Sequence, residues 1–189
     1  MSLEFNRRSF LKYSAAAAVA VAGSSLLVGC GEDEYQKTGK IGSTLKLMGT
    51  FKMHDGTNAP TYTVTSIGAT PATGTFTCKL SIKCTTKKVP LYVTNECFEL
   101  TVTRGTTETN YAKQYIKVDK EEYDLKESED AKDFKLTITS VDIKAGDKVE
   151  LKYWPRIQAS SGNSGYTRAF CTWKMTAKTG TSGTGIVLE

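Results

Sequence analysis

Beyond residue 44, apolar and polar positions alternate along most of the chain, the period of strands with one buried face. The clearest run is Phe76 to Cys84, in which Phe76, Cys78, Leu80, Ile82 and Cys84 share a face. Leu45, Leu47, Phe51 and Met53 alternate in the same way, as do Tyr62 and Val64. Further along come Phe98, Leu100 and Val102, then Phe134, Leu136 and Ile138. Val149, Leu151 and Tyr153 follow, then Cys171, Trp173 and Met175. Thr and Val abound in these segments, as a half-buried pleated surface favours. The parity slips between Val93 and Phe98 and between Ile138 and Val141, where breaks or bulges are expected. Ala145-Gly146-Asp147 and Ser161-Gly162-Asn163 read as turns. No long helix is evident after residue 30, nor a repeat of fixed period. Strands separated by turn signals predict an all-β, antiparallel β-sandwich.

The first 29 residues have a different pattern. Arg7, Arg8, Ser9, Phe10, Leu11 and Lys12 precede an apolar run from Ala15 to Val28 that ends in Leu27-Val28-Gly29-Cys30. A charged start, a short apolar stretch and a small residue before the break are the layout of a secretory signal. The run is shorter than the roughly 18–20 residues that span a bilayer. Asn6 to Lys12 resembles the twin-arginine export motif, with Arg7 and Arg8 ahead of Phe10, Leu11 and Lys12. Leu27 to Cys30 resembles a lipobox, in which the cysteine sulfur takes a diacylglycerol and the peptide is cut before it. These resemblances imply an extracytoplasmic lipoprotein attached to the cell membrane through Cys30. The twin-arginine route carries folded proteins, often with a cofactor inserted. No cofactor site is evident here, and none is expected.

Cleavage divides the chain into a signal peptide (1–29), a lipidated tether (30–43), a β-sandwich domain (44–178) and a flexible tail (179–189). The tether is mostly polar, and Thr179 to Gly185 is a Thr-Gly-Ser stretch of low complexity. About 160 residues remain, enough for one domain with an ordinary core. Losing Arg7, Arg8, Lys12 and Glu4 takes the 25 basic and 20 acidic side chains to 22 and 19, a formal charge of +3. So small and mixed a charge argues against nucleic acid as partner. The run from Ser140 to Leu151 resembles a strand, a turn and a strand of the immunoglobulin-like domains common on bacterial lipoproteins. That resemblance implies an immunoglobulin-like sandwich and carries no active site across.

With Cys30 assigned to lipid, Cys78, Cys84, Cys97 and Cys171 remain, an even number suited to disulfides outside the cytoplasm. Cys78 and Cys84 stand about 20 Å apart on one strand and cannot pair with each other. Cys84 with Cys97 and Cys78 with Cys171 is the favoured connectivity. Cys78 with Cys97 and Cys84 with Cys171 is the alternative. No close Cys-x-x-Cys pair exists, so a metal site is not expected.

Candidate chemistry is sparse. The single histidine, His54, precedes Asp55-Gly56, a hairpin signal, and reads as a solvated turn residue rather than a triad member. Asp119 to Asp133 carries a local charge of −5 and reads as a solvated loop; its spacing does not match a calcium loop. Aromatic positions say more. If Val149, Leu151 and Tyr153 face the core, Trp154 faces outward, and the same parity turns Phe170 outward while Trp173 points in. On Tyr111 to Val118, parity sets Ile116 and Val118 on one face and Tyr111 and Tyr115 on the other. Outward rings bury much area at little entropic cost, so Trp154, Phe170, Tyr111 and Tyr115 are the candidate ligand contacts. The expected function is a non-enzymatic binding module anchored in the envelope, with a glycan or cell-wall polymer favoured as ligand. A protein–protein or structural role in an envelope complex is the alternative, and a hydrolase ranks behind both.

Overall fold

A computed structural model describes residues 36–47, 62–84, 89–120, 122–125, 131–158, 164–166, 170–181 and 185–189. The export motif, Cys30, Phe51, Met53, His54 and the Ser161–Asn163 turn lie outside the described residues. Glu32–Glu189 forms one compact unit.

Its strands begin with β1 (Gln36–Lys40), β2 (Thr44–Leu47), β3 (Tyr62–Ala72), β4 (Gly74–Cys84) and β5 (Val89–Tyr92). Then come β6 (Phe98–Arg104), β7 (Thr107–Tyr111), β8 (Ile116–Val118), β9 (Glu122–Leu125) and β10 (Lys132–Val141). The last are β11 (Lys148–Tyr153), β12 (Arg156–Gln158), β13 (Ser164–Tyr166), β14 (Phe170–Thr179) and β15 (Ile186–Leu188). Among the described residues the only helical pieces are two 3₁₀ turns, Asn95–Cys97 and Lys113–Tyr115.

One sheet runs β1-β14-β11-β6-β7, with β15 also on β14; a second runs β2-β3-β4-β10-β8. A smaller sheet orders β13-β12-β5-β9. Pairing is antiparallel except where β1 runs parallel to β14. The first two sheets share one core. Val64, Phe76, Leu80, Ile82, Leu136 and Ile138 from one join Leu100, Val149, Leu151, Tyr153 and Trp173 from the other, all 0 % exposed. The inward positions of β4, β6, β10, β11 and β14 are those the period of two selects.

Both parity slips take physical form. Between Val93 and Phe98 lies the first 3₁₀ turn, where Thr94 Oγ1 accepts the Glu96 N–H at 3.3 Å. In β10 the register shifts between Thr139 and Val141, and Ser140 adopts φ 61°. A second bulge, in β3 between Ser66 and Gly68, turns Ile67 outward to 50 % exposure.

Three expectations are corrected by the sheets. Gln36–Lys40, within the stretch read as a tether, is β1 and pairs with Phe170–Lys174. Ile186–Leu188, within the stretch read as a tail, is β15 and pairs with Ala177–Thr179. Glu122–Leu125, within the acidic stretch read as a solvated loop, is β9 against β5. β1 is a polar segment whose side chains carry no strand signal, and a backbone ladder captures it; Tyr123 with Leu125 and the apolar Ile186–Leu188 do carry one, but polar residues flank both. The corner from β1 to β2 is tight. Ser43 N–H donates to Lys40 O at 3.0 Å, and a Cβ added at Gly39 would lie 2.7 Å from Leu45 Cδ2.

One core group is poorly matched to its surroundings. Tyr153 is 0 % exposed and its ring lies 5.1 Å from that of Phe98, yet its hydroxyl has no partner among the described residues. Burial is the main reason its pKa is raised well above the ordinary phenol value, with Cys97, Tyr62 and Cys171 adding to it. Tyr153→Phe removes a desolvated hydroxyl without changing shape and is expected to stabilise the fold by about 1 kcal/mol. Urea unfolding checks this; a clear loss of stability would mean the hydroxyl is hydrogen-bonded.

Candidate functional site

The outer face of the first sheet is built from alternate residues of adjacent strands. On β11 these are Lys148, Glu150 and Lys152; on β14 they are Phe170, Thr172, Lys174, Thr176 and Lys178. Register sets Glu150 beside Lys174 and Lys152 beside both Thr172 and Glu99. Ion pairs follow, with Lys174 Nζ 3.4 Å from Glu150 Oε1 and Lys152 Nζ 3.8 Å from Glu99 Oε1.

At the end of this face stand two of the four candidate aromatics. The last β11–β14 pair is Tyr153 with Cys171, so Trp154 and Phe170 are the next positions outward on either strand. Trp154 N–H donates to Cys97 O at 2.8 Å, which holds the strand's exit against the first 3₁₀ turn. The rings of Trp154 and Phe170 lie 5.7 Å apart, tilted by 43°, and both are half-buried. Such a pair is apolar surface for a flat ligand. Lys152 and Glu99 in the neighbouring rows supply a donor and an acceptor, while Thr172 beside them is buried.

Tyr111 and Tyr115 form a separate pair, 5.7 Å apart and nearly edge-on at 78°. Here the expectation is corrected for Tyr111. It is buried in the core, and its hydroxyl accepts the Asp142 N–H at 3.3 Å. Tyr115 packs half-buried against the same core. The 3₁₀ turn Lys113–Tyr115 interrupts the strand, so parity counted through it assigns the wrong face.

The disulfide expectation is also corrected. Cys78 and Cys171 are buried free thiols, which removes both connectivities. Cys78 Sγ lies 3.7 Å from Ser66 Oγ, and burial pushes its thiol up to about 11. Burial raises the Cys171 thiol further still. A raised thiol is a poor nucleophile, so these side chains act as small apolar packing groups. Cys97 is buried as well, and its Sγ accepts the Thr94 N–H at 3.5 Å. The side chain of Cys84 lies outside what is described.

One polar cluster has no counterpart in the sequence pattern. Arg104, at the end of β6, donates from Nε to Asp147 Oδ1 at 2.9 Å and from Nη2 to Asp147 Oδ2 at 2.7 Å. Its Nη1 donates to Asp142 Oδ2 at 3.0 Å. Asp147 Oδ2 also accepts the Lys144 N–H at 2.8 Å, closing the turn after Val141. Hydrogen bonds from Arg104 are the main cause that holds both carboxyls below their ordinary pKa. All of Arg104's bonds to the two aspartates are structural clamps between loops. Among the described residues, no group of three His, Cys, Asp or Glu could hold a metal ion.

A family model of the TAT (twin-arginine translocation) pathway signal sequence matches residues 4–24. The chain carries a twin-arginine export signal. That stretch contains Arg7, Arg8, Phe10, Leu11 and Lys12, and it sends the chain across the cytoplasmic membrane to an extracytoplasmic location. No curated protein and no solved structure matches the chain.

Proposed function

We propose that this exported chain is an envelope lipoprotein, held at the membrane by a lipid on Cys30. Its all-β unit, of immunoglobulin-like sandwich type, acts as a non-enzymatic binding module for a glycan or cell-wall polymer. One observation carries the reading: Trp154 and Phe170 stand together at the end of a sheet face whose neighbouring rows are hydrogen-bonding side chains. Sugars present flat apolar faces rimmed by hydroxyls. A tilted aromatic pair beside Lys152 and Glu99 complements both features.

The test uses the compact unit Glu32–Glu189, titrated with a glycan panel and purified cell-wall polymer. Saturable binding is expected, and Trp154→Ala is expected to weaken it about tenfold, or about 1.4 kcal/mol. Wild-type protein that is folded by circular dichroism and binds nothing in the panel would sink the glycan reading.

A further inference from the structure

The same outer face continues away from the aromatic pair into a concavity of about 700 Å³. Its charged lining is Lys40, Lys148, Glu150, Lys174, Lys178 and Glu189. Two of the four lysines are neutralised locally, Lys174 by Glu150 and Lys178 by Glu189. Lys40 and Lys148 have no carboxylate partner among the described residues, and both are exposed. Counting side chains, four lysines stand against two glutamates, an excess of two positive charges.

Register places Lys40 of β1 directly beside Lys174 of β14, whose charge Glu150 already offsets, so the charge left over in this row is that of Lys40. An anion beside Lys40 and Lys148 would supply the missing counter-charge. The concavity also shares β11 with the aromatic pair. Lys148, Glu150 and Lys152 succeed one another on the outer face of β11, Trp154 follows directly after its end, and six extended residues span about 20 Å. An extended chain lying along β11 would meet the rings at one end and the free lysines at the other.

We infer that the ligand is an acidic polymer, with carboxylate or phosphodiester groups along a sugar or polyol backbone, that places an anionic group between Lys40 and Lys148. This rests on the proposed binding function and adds the charge of the ligand to it. Solvated lysines bind anions weakly and their effect is screened by salt, so the preference should be modest and salt-sensitive.

The experiment titrates Glu32–Glu189 with polygalacturonate, its methyl ester and poly(glycerol phosphate), at low and high salt. Wild type is expected to favour at least one anionic polymer over the neutral ester by about tenfold at low salt, with the preference shrinking as salt rises. Comparing polygalacturonate with poly(glycerol phosphate) tells carboxylate from phosphodiester. In the double variant Lys40→Gln, Lys148→Gln the acid-over-ester ratio should fall towards one. Trp154→Ala should weaken binding to acid and ester together. Equal binding of acids and ester by wild type, or an unchanged ratio in the double variant, overturns the acidic assignment and leaves the module reading standing. Absence of binding to all three polymers overturns the acidic assignment, and an empty glycan panel as well removes the module. Should the double variant fail to fold, the single Lys40→Gln and Lys148→Gln variants are read in the same way.

Discussion

Trp173→Ala is expected to destabilise the folded unit by about 3–5 kcal/mol, the cost of deleting a fully buried large aromatic. Trp173 heads the large side chains with no exposure, in the middle of β14. In register it is flanked by Leu151 of β11 on one side and Gly39 of β1 on the other. Its Nε1 donates to Ser43 O at 3.1 Å, so the indole also fixes the corner that carries the chain from β1 in one sheet to β2 in the other. Alanine would leave a cavity between the layers and strand the Ser43 carbonyl. Natural domains hold only about 5–15 kcal/mol in reserve, so a loss of this size should be visible as a large drop in the urea midpoint. A loss under about 1 kcal/mol would mean that Trp173 does not join the two layers.

Asp147→Asn should cost about 2 kcal/mol at neutral pH, and the cost should vanish in acid. Asp147 is buried, and it accepts two bonds from Arg104 and one from the Lys144 N–H. Asparagine keeps the shape but loses the charge that makes the Arg104 fork strong; bonds to charged groups contribute about 1.5–3 kcal/mol. The Arg104 side chain is 44 % exposed, and solvent screening keeps the figure in the lower part of that range. The pH dependence has a definite sign. The folded pKa of Asp147 lies below the ordinary carboxylate value of about 3.9. Its contribution is therefore complete above that value and is lost as pH falls through the lower folded pKa. Wild type and Asp147→Asn should differ at pH 7 and converge below about pH 4. A gap that persists unchanged into acid would show that the ion pair is not its source.

The inward faces of the strands were legible because side-chain alternation is a local property. Phe76 through Ile82 reveal their face without knowledge of any neighbouring strand. The bulge near Ser140 was legible for the same reason, as a slip in the period. Counting failed where the strand itself stopped. Tyr111 and Tyr115 are separated by the start of a 3₁₀ turn, and the phase does not survive it. For the candidate site, parity placed Trp154 and Phe170 outward but could not make them neighbours. Their contact exists because β11 and β14 pair antiparallel and end together.

The sequence by itself determined the twin-arginine signal, which is read as a linear motif, and the all-β character with most of its buried positions. The tertiary structure alone decided which strands are adjacent. It recruited β1 and β15 to opposite halves of one edge of β14 through backbone hydrogen bonds, and for the polar β1 these leave no trace in the side-chain pattern. It left Cys78 and Cys171 as packing thiols, because a cysteine count carries no distances. It also brought Arg104 to Asp147 and lined up Lys40, Lys174 and Lys148 on one face. Periodicity records which way a side chain points; only the pairing of strands records what it meets.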